Sequence, residues 1–392
     1  MDIEEIFQSL SVLVADPNLS EGKRVELLDR IKKLAAVLER PEDVLTKLAF
    51  SPSQFMTARV ATELKLFDVI VRQGKVNSEE LAETTGANKV LIERLLRVLT
   101  ASGMVDEAGV STYTPNKITK TLTSRTGEAM IRAFWDIKLK SMARIPEYLH
   151  HTGYKNPEDA TNGPFQFAYG LKDQPFFDWL HEPKRAREHD TMHTYFEGDR
   201  GSRPDWVKWF PVEEKFFKNV KTQKDDVVMV DVAGGRGHDL DAFVRRFLDV
   251  QGRYVLQDLP MVLDDRALEL HSKIEKIAMD FWKDQPVSGA RIYYMKFIMH
   301  DWNDERCLQI LTNVTAAMTK GYSFLVVEDF IIPDQGCPLL AALFDMQMMN
   351  ALSAMERTEG QWVKLLKAAG LRVEGCYPPP GDGTGIIVAE LK

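Results

Sequence analysis

Residues 227–238 read VVMVDVAGGRGH: an apolar run closes on an acid, Asp231, and opens into three glycines within four residues. Gly234, Gly235 and Gly237 carry no Cβ, so the backbone can turn sharply there and come close to a ligand. From residue 227 onward the short apolar runs VVMVDVA, GRYVLQDL, KIAMDF, ARIYYMKFI and YSFLVVEDFI alternate with helical patterns. That order is a βαβ signature and predicts an α/β fold, a doubly wound, Rossmann-like, mostly parallel sheet. The tail RVEGCYPPPGDGTGIIVAELK reads instead as two strands joined by a Gly/Pro-rich turn. In a doubly wound sheet the ligand lies beyond the carboxyl ends of the strands, where the strand order reverses, so the glycine loop is the place to look.

The loop alone leaves the ligand open. A dinucleotide fingerprint is GxGxxG opening a helix, and AGGRGHDL departs from it in glycine spacing. Its context adds two acids. Asp258 in VLQDLP ends the second run, where a ribose diol would be hydrogen-bonded, and Asp280–Phe281 ends the third with a polar and an aromatic contact for a base. The plainer reading of each acid is a helix N-cap.

Upstream, residues 1–50 carry apolar side chains at threes and fours between charged ones until Pro41 interrupts, and this stripe packs either on its own domain or on a second copy. Residues 54–117 read as three helices followed by a short β-hairpin, a winged-helix pattern: VNSEELAETTG and NKVLIERLLRVLTASG begin at cap residues and end in glycine. Over residues 75–117 the net charge is −1, too little positive charge to neutralise phosphates, so DNA is not the expected partner. Residues 121–220 are helical and rich in aromatics and methionines, which serve a core or a pocket.

Composition narrows the class further. A chain of 392 residues with 44% hydrophobic content and a net charge of −8 can bury a large core in two or three domains, and it favours a small molecule over nucleic acid or an anionic membrane. Cys307, Cys337 and Cys376 have no disulfide or zinc-site spacing, and no metal is expected. The opening MDIEEIFQSL has no basic and apolar leader pattern and no run reaches membrane-spanning length, so the expected location is cytoplasmic.

DVAGGRGH, QDLP, MDFW, YYMKFIMHDWND, VVEDFIIPD and MERTEGQW, in this order, resemble the plant caffeate/flavonoid type of S-adenosylmethionine-dependent class I O-methyltransferase and its fungal secondary-metabolism relatives. The resemblance spans essentially the whole chain. It implies a seven-stranded sheet behind a winged-helix N-terminal dimerisation domain, and hence a homodimer. Residues 1–120 would form that domain, 121–205 a helical segment lining the substrate pocket, and 206–392 the catalytic domain. It also implies S-adenosyl-L-methionine as cofactor and S-adenosyl-L-homocysteine as its product. The glycine loop, Asp231, Gly234, Gly235 and Gly237, would then face the methionine end, Asp258 the ribose, Asp280 and Phe281 the adenine, with Leu259 also binding the cofactor and Lys296 near it.

Methyl transfer to a phenol needs a base at neutral pH, because the hydroxyl ionises only near pH 10. His300 in IMHDWND, just after the fourth strand, is the candidate, and Glu328 and Glu356 are expected to orient its ring. Asp301 is either a further orienting acid or the cap of a helix beginning at Trp302. Phe134, Trp135, Phe165, Phe167, Met192, Phe344, Met346 and Met349 form the expected substrate wall for an aromatic or polyketide-type molecule. Some fungal proteins that resemble this family keep the cofactor but catalyse dehydration or pericyclic closure instead, and they tend to lose the His of HDW. His300 is retained, so methyl transfer is the first expectation and a pericyclase or dehydratase the alternative. Residues 351–355, ALSAM, depart from the Gly-rich FGG usual before ERT.

Overall fold

Helix starts in the N-terminal part of the chain are set by side-chain caps. Asn77 accepts from the Glu80 amide while Glu80 accepts from the Asn77 amide, a capping box that opens the helix Ser78–Thr85, and Gly86 at φ 68° closes it. Asn88 opens Lys89–Ala101 by accepting from the amides of Val90 and Leu91. The apolar faces of these helices and of Leu66–Gln73 meet in a small core built on Leu66, Phe67, Ile70, Leu81, Ile92 and Leu96. Beside it β1 (Val76–Asn77), β2 (Asp106–Gly109) and β3 (Thr112–Thr114) form an antiparallel sheet in the order β1-β3-β2, completing the expected winged helix.

The computed structural model describes residues 3–200, 204–218, 220–264, 269–283 and 285–392. The chain separates into two compact units, one of Met1–Arg30, Lys155–Phe165 and Arg203–Lys392, the other of Ile31–Tyr154 and Gln166–Ser202. These boundaries differ from a division at residues 120 and 205. Residues 1–30 group with the catalytic sheet because their second helix lies on the turn before the last strand: a Cβ on Gly22 would stand 2.5 Å from the carbonyl oxygen of Pro380. Residues 121–154 group with the winged helix through long-range ion pairs, Arg59 to Asp136 at 2.9 Å and Arg132 to Glu63 at 2.9 Å, and residues 166–202 join them through Arg125, which donates to Thr194 at 2.9 Å and pairs with Glu197.

In the larger unit all six residues of β4 (Val227–Val232) are buried, as expected of a strand covered on both faces. With β5 (Arg253–Asp258), β6 (Ile274–Ala278), β7 (Ile292–Lys296) and β8 (Phe324–Asp329), it forms the parallel part of the sheet, so each of the five apolar runs becomes a strand. A small parallel pair, β9 (Ile331–Ile332) and β10 (Arg357–Thr358), stands apart. The tail forms the hairpin β11 (Leu371–Tyr377) and β12 (Gly385–Leu391), which adds antiparallel to β8. The strand order is β11-β12-β8-β7-β4-β5-β6. The chain leaves β4 toward β5 and β6, then returns to β7 on the other side. The reversal therefore lies between β4 and β7, with the glycine loop at its carboxyl edge. Separate apolar layers cover the two faces of the sheet. Among the described residues no helix is long and apolar enough to cross a membrane.

Candidate active site

The turn after β4 is shaped by its glycines. Gly234 packs so close to Asp231 that a Cβ would stand 2.4 Å from the carboxylate. Gly235 and Gly237 adopt φ of 62° and 85°, in the left-handed region that favours glycine. Gly237 then leads directly into the helix His238–Arg246. Asp258, at the end of β5, accepts from the amide of Gly235 at 2.8 Å and from that of Leu259 at 2.7 Å. Those two bonds tie the glycine turn to the neighbouring strand and fix a carboxylate at the edge of the cleft. The helix that follows begins at Pro260 with Leu259 at its cap position, so the N-cap reading of Asp258 does not hold. Asp280 accepts from the amide of Trp282 at 3.1 Å and forms an ion pair with Lys283, capping a turn rather than a helix. Phe281 stands edge-on to Trp282 and Trp302.

Lys296, at the end of β7, is buried and donates to Asp239 at 2.8 Å, with Glu328 at 3.1 Å. Glu328 also accepts from Tyr294 and, at 2.8 Å, from Thr384. This corrects the expectation for Glu328. Its partners are Lys296, Tyr294 and Thr384, whereas the acid that meets His300 is Asp329. Successive side chains of a strand point to opposite faces, so of two adjacent acids at the end of β8 only one can turn toward the histidine.

His300 sits in a single turn of 3₁₀ helix, Met299–Asp301, reached through Phe297 at φ 53°. Its Nδ1 lies 2.8 Å from Oε1 of Glu356 and 3.3 Å from Oδ1 of Asp329, and its Nε2 lies 3.4 Å from Oδ1 of Asp301. The side chains of Glu356 and Asp329 are fully buried. Burial alone would lower the basicity of the imidazole, but the carboxylates of Asp329, Glu356 and Asp301 outweigh it and raise the pKa to about 10. Asp329 is raised above the ordinary carboxylate range by burial, opposed by the His300 charge. Neither oxygen of Asp329 accepts a hydrogen bond, so the imidazolium is its principal compensation. Asp301 faces the ring. It does not cap a helix, because the next helix starts at Asp304 and is capped by Asn303, which accepts from the Arg306 amide.

Sequence reasoning missed Arg357, although it belongs to the quoted MERTEGQW. Its buried guanidinium donates to the carbonyls of Met299 at 2.7 Å and Trp302 at 2.8 Å, and to Asp304 at 3.0 and 2.9 Å. Arg357 therefore clamps both ends of the turn that carries His300. The ring of Phe297 stacks on the imidazole with centroids 5.1 Å apart, Phe330 packs on Phe297, and Phe344 packs on Phe330. An aromatic layer thus runs from the histidine to one expected wall residue. Of the others in this unit, Phe165 is buried, Met349 half-buried and Met346 exposed. In the smaller unit Trp135 stands edge-on to Phe55, Phe134 edge-on to Tyr195, Phe167 stacks on His151, and Met192 is buried. In place of a glycine, Ser353 takes φ 53° at the end of the helix Leu339–Leu352, a left-handed conformation at which glycine carries less strain.

The donor set fits S-adenosylmethionine. A glycine turn with no room for a Cβ, a fixed carboxylate at the end of β5 and an acid–aromatic pair after β6 offer, in order, contacts for an amino acid, a ribose and a base. Residues 209–372 match the family model for the O-methyltransferase domain, and residues 46–125 the one for the O-methyltransferase dimerisation domain. The chain is 36% identical over 370 residues to O-methyltransferase penC of Penicillium thymicola, covering 94% of this chain and 91% of that one. Its fold is similar to that of LepI in complex with SAM (TM-score 0.90, 28% identity, 100% of both chains). A solved pericyclic reaction enzyme is equally similar (TM-score 0.91, 28% identity, 100% of this chain and 99% of that one). OxaC in complex with SAH and oxaline follows (TM-score 0.84, 26% identity, 100% of this chain and 98% of that one). The chain belongs to the S-adenosylmethionine-dependent O-methyltransferase family.

Proposed function

We propose that the acceptor is a hydroxyl of a small aromatic or polyketide-type metabolite and that His300 is the general base. The observation that carries this reading is the buried imidazole whose Nδ1 is bonded to Glu356, so that Nε2, which has Asp301 at the longer distance of 3.4 Å, is the nitrogen that would meet a substrate proton. When bound, S-adenosylmethionine supplies an electrophilic methyl on a sulfonium. Asp231 and the glycine turn would hold its amino-acid end, Asp258 with Leu259 its ribose, and Asp280 with Phe281 its adenine. Lys296 secures the floor of that site through Asp239 and Glu328.

In the fraction of molecules whose ring is neutral, a phenol with pKa near 10 and an imidazole raised to about 10 hold a shared proton with nearly equal strength, so transfer to Nε2 costs little; that fraction is small at pH 7 and grows as the pH rises. With its proton held on the ring, the acceptor oxygen would be the nucleophile for the methyl that S-adenosylmethionine supplies, whose bond to sulfur would break to leave S-adenosylhomocysteine. Glu356 and Asp329 stabilise the imidazolium, and the aromatic layer through Phe344 offers a flat acceptor a surface on which to lie, with Phe165, Met346 and Met349 as the remaining wall candidates of this unit. The match to a dimerisation domain, together with exposed apolar side chains such as Val37, Leu38, Leu48 and Phe50, supports a homodimer.

His300→Ala tests the assignment. Cofactor affinity should stay nearly intact, while methylation falls on the order of 10²–10⁴-fold, the usual contribution of a positioned base. Methylation at the parental rate would remove His300 from the mechanism. A second reading, a pericyclase or dehydratase, is favoured by one observation: an imidazole raised to about 10 is protonated at pH 7 and can donate to a substrate carbonyl. The two readings separate on one measurement, since only methyl transfer forms S-adenosylhomocysteine in step with product.

A further inference from the structure

Three of the chain's eight histidines meet at one point of the smaller unit. His181 follows the short helix Phe176–Leu180 at its C-terminus. His189 and His193 stand four apart in the helix Ala186–Arg200, the spacing that puts two side chains on one helix face. Ring centroids are 4.2 Å apart for His189 and His193, 5.3 Å for His181 and His189, and 5.9 Å for His181 and His193. One ring nitrogen from each lies within 4.8 Å of the others. All three rings are half-buried, and Nε2 of His181 is buried with no hydrogen-bond partner.

We propose that His181, His189 and His193 bind a divalent first-row transition metal ion, zinc foremost, with a fourth position left to water. Imidazole is the ligand shared by zinc, copper and nickel sites, and three histidines with an open position is an established zinc arrangement. Ligand nitrogens about 2.0–2.1 Å from a tetrahedral ion stand roughly 3.3 Å from one another. Small side-chain rotations bring three nitrogens already within 4.8 Å to that spacing. The competing account is an aromatic layer, because Phe177 packs on His181 and Phe196 on His193. Such a layer needs rings but no nitrogens, whereas the metal needs the nitrogens.

The test is a titration of the full-length, chelator-treated protein with Co(II), read by its electronic spectrum, and with Zn(II), read by calorimetry. One equivalent should bind, with tetrahedral ligand-field bands and no thiolate charge-transfer band. His189→Gln/His193→Gln should abolish the bands or weaken binding by at least about a hundredfold, and His181→Gln alone should weaken it by about tenfold or more. His150→Gln/His151→Gln should bind as the parent does. His300, Asp329 and Glu356 could also ligate, so His300→Gln belongs in the series and should keep the metal. Absence of stoichiometric binding overturns the proposal, as does binding lost in His300→Gln but kept in the double variant. If the double variant does not fold, as judged by circular dichroism, His181→Gln decides: parental affinity there overturns the site.

Discussion

Oδ1 of Asp329 lies 3.3 Å from Nδ1 of His300, and neither oxygen of that fully buried carboxylate accepts a hydrogen bond. Its neighbour Glu328 is anchored instead by Tyr294, Lys296 and Thr384. The two acids should therefore separate in kinetics. Asp329→Asn removes the leading carboxylate that raises His300, so the pH midpoint of methylation should move down by more than one unit, and the rate at pH 7 should change through orientation as well as basicity. Glu328→Gln should leave that midpoint in place while weakening cofactor binding through Lys296. Identical pH profiles for Asp329→Asn and the parent would show that the histidine does not sense this acid during turnover.

Arg357 acts on the chemistry without touching it. Removing its guanidinium leaves the carbonyls of Met299 and Trp302 without that donor at both ends of the His300 turn. Arg357→Met should cost roughly 1–3 kcal/mol of stability in all, because the Met299 carbonyl keeps only the Trp302 amide and the Cys307 thiol as donors and the Trp302 carbonyl only that thiol. It should also lower kcat more than it changes KM. Arg357→Lys should not restore the parent, since one ammonium cannot reproduce the fork that reaches Met299, Trp302 and Asp304 together. Chemical denaturation and steady-state kinetics on both variants check this, and full rescue by lysine would sink the clamp.

Gly234 and Asp258 test the cofactor assignment from two directions. A methyl at Gly234 would stand 2.4 Å from the Asp231 carboxylate, so Gly234→Ala must displace the turn or the acid and should lose cofactor affinity even though no polar contact is deleted. Asp258→Ala deletes a charge-assisted acceptor and should weaken cofactor binding by about tenfold or more. It also frees the amides of Gly235 and Leu259, so part of the loss should appear as a looser loop. Calorimetry with S-adenosylhomocysteine reads both, and unchanged affinity in Asp258→Ala removes the ribose role.

The sheet was legible because its signals are local: five apolar runs, each ending where a polar or glycine turn begins, became β4 to β8. The capped helices around Asn77 and Asn88 were legible for the same reason. The partner of His300 was not. VVED offers two adjacent acids, and which one faces the histidine depends on the register of β8 against β7 and β12, a relation between segments far apart in sequence. Arg357 escaped because its partners are backbone carbonyls 55 and 58 residues away, which carry no letter of their own. The compact units were not legible either, since it is the packing of 121–154 and 166–202 with residues 31–120 that decides which unit holds them.

The sharpest prediction is the pH dependence. His300 is raised to about 10 in the folded protein, so near neutral pH the ring holds its proton and only a small fraction is available as a base. If it accepts the substrate proton, kcat/KM should rise close to tenfold per pH unit from about pH 7. It should level off as the pH nears 10, or earlier when the cofactor's positive charge lowers the midpoint. Stability should run the other way. A group whose folded pKa exceeds its unfolded value, ordinarily about 6.5 for histidine, contributes stabilisation that is complete below that value and is lost as the pH rises through the folded one. Rate and thermal midpoint should therefore diverge across the alkaline range, one climbing while the other falls, and His300→Gln should flatten the rate profile of the remaining activity. A parental profile already flat between pH 6 and 9 would mean that the ring does not act as the base, and would leave the imidazolium as a hydrogen-bond donor.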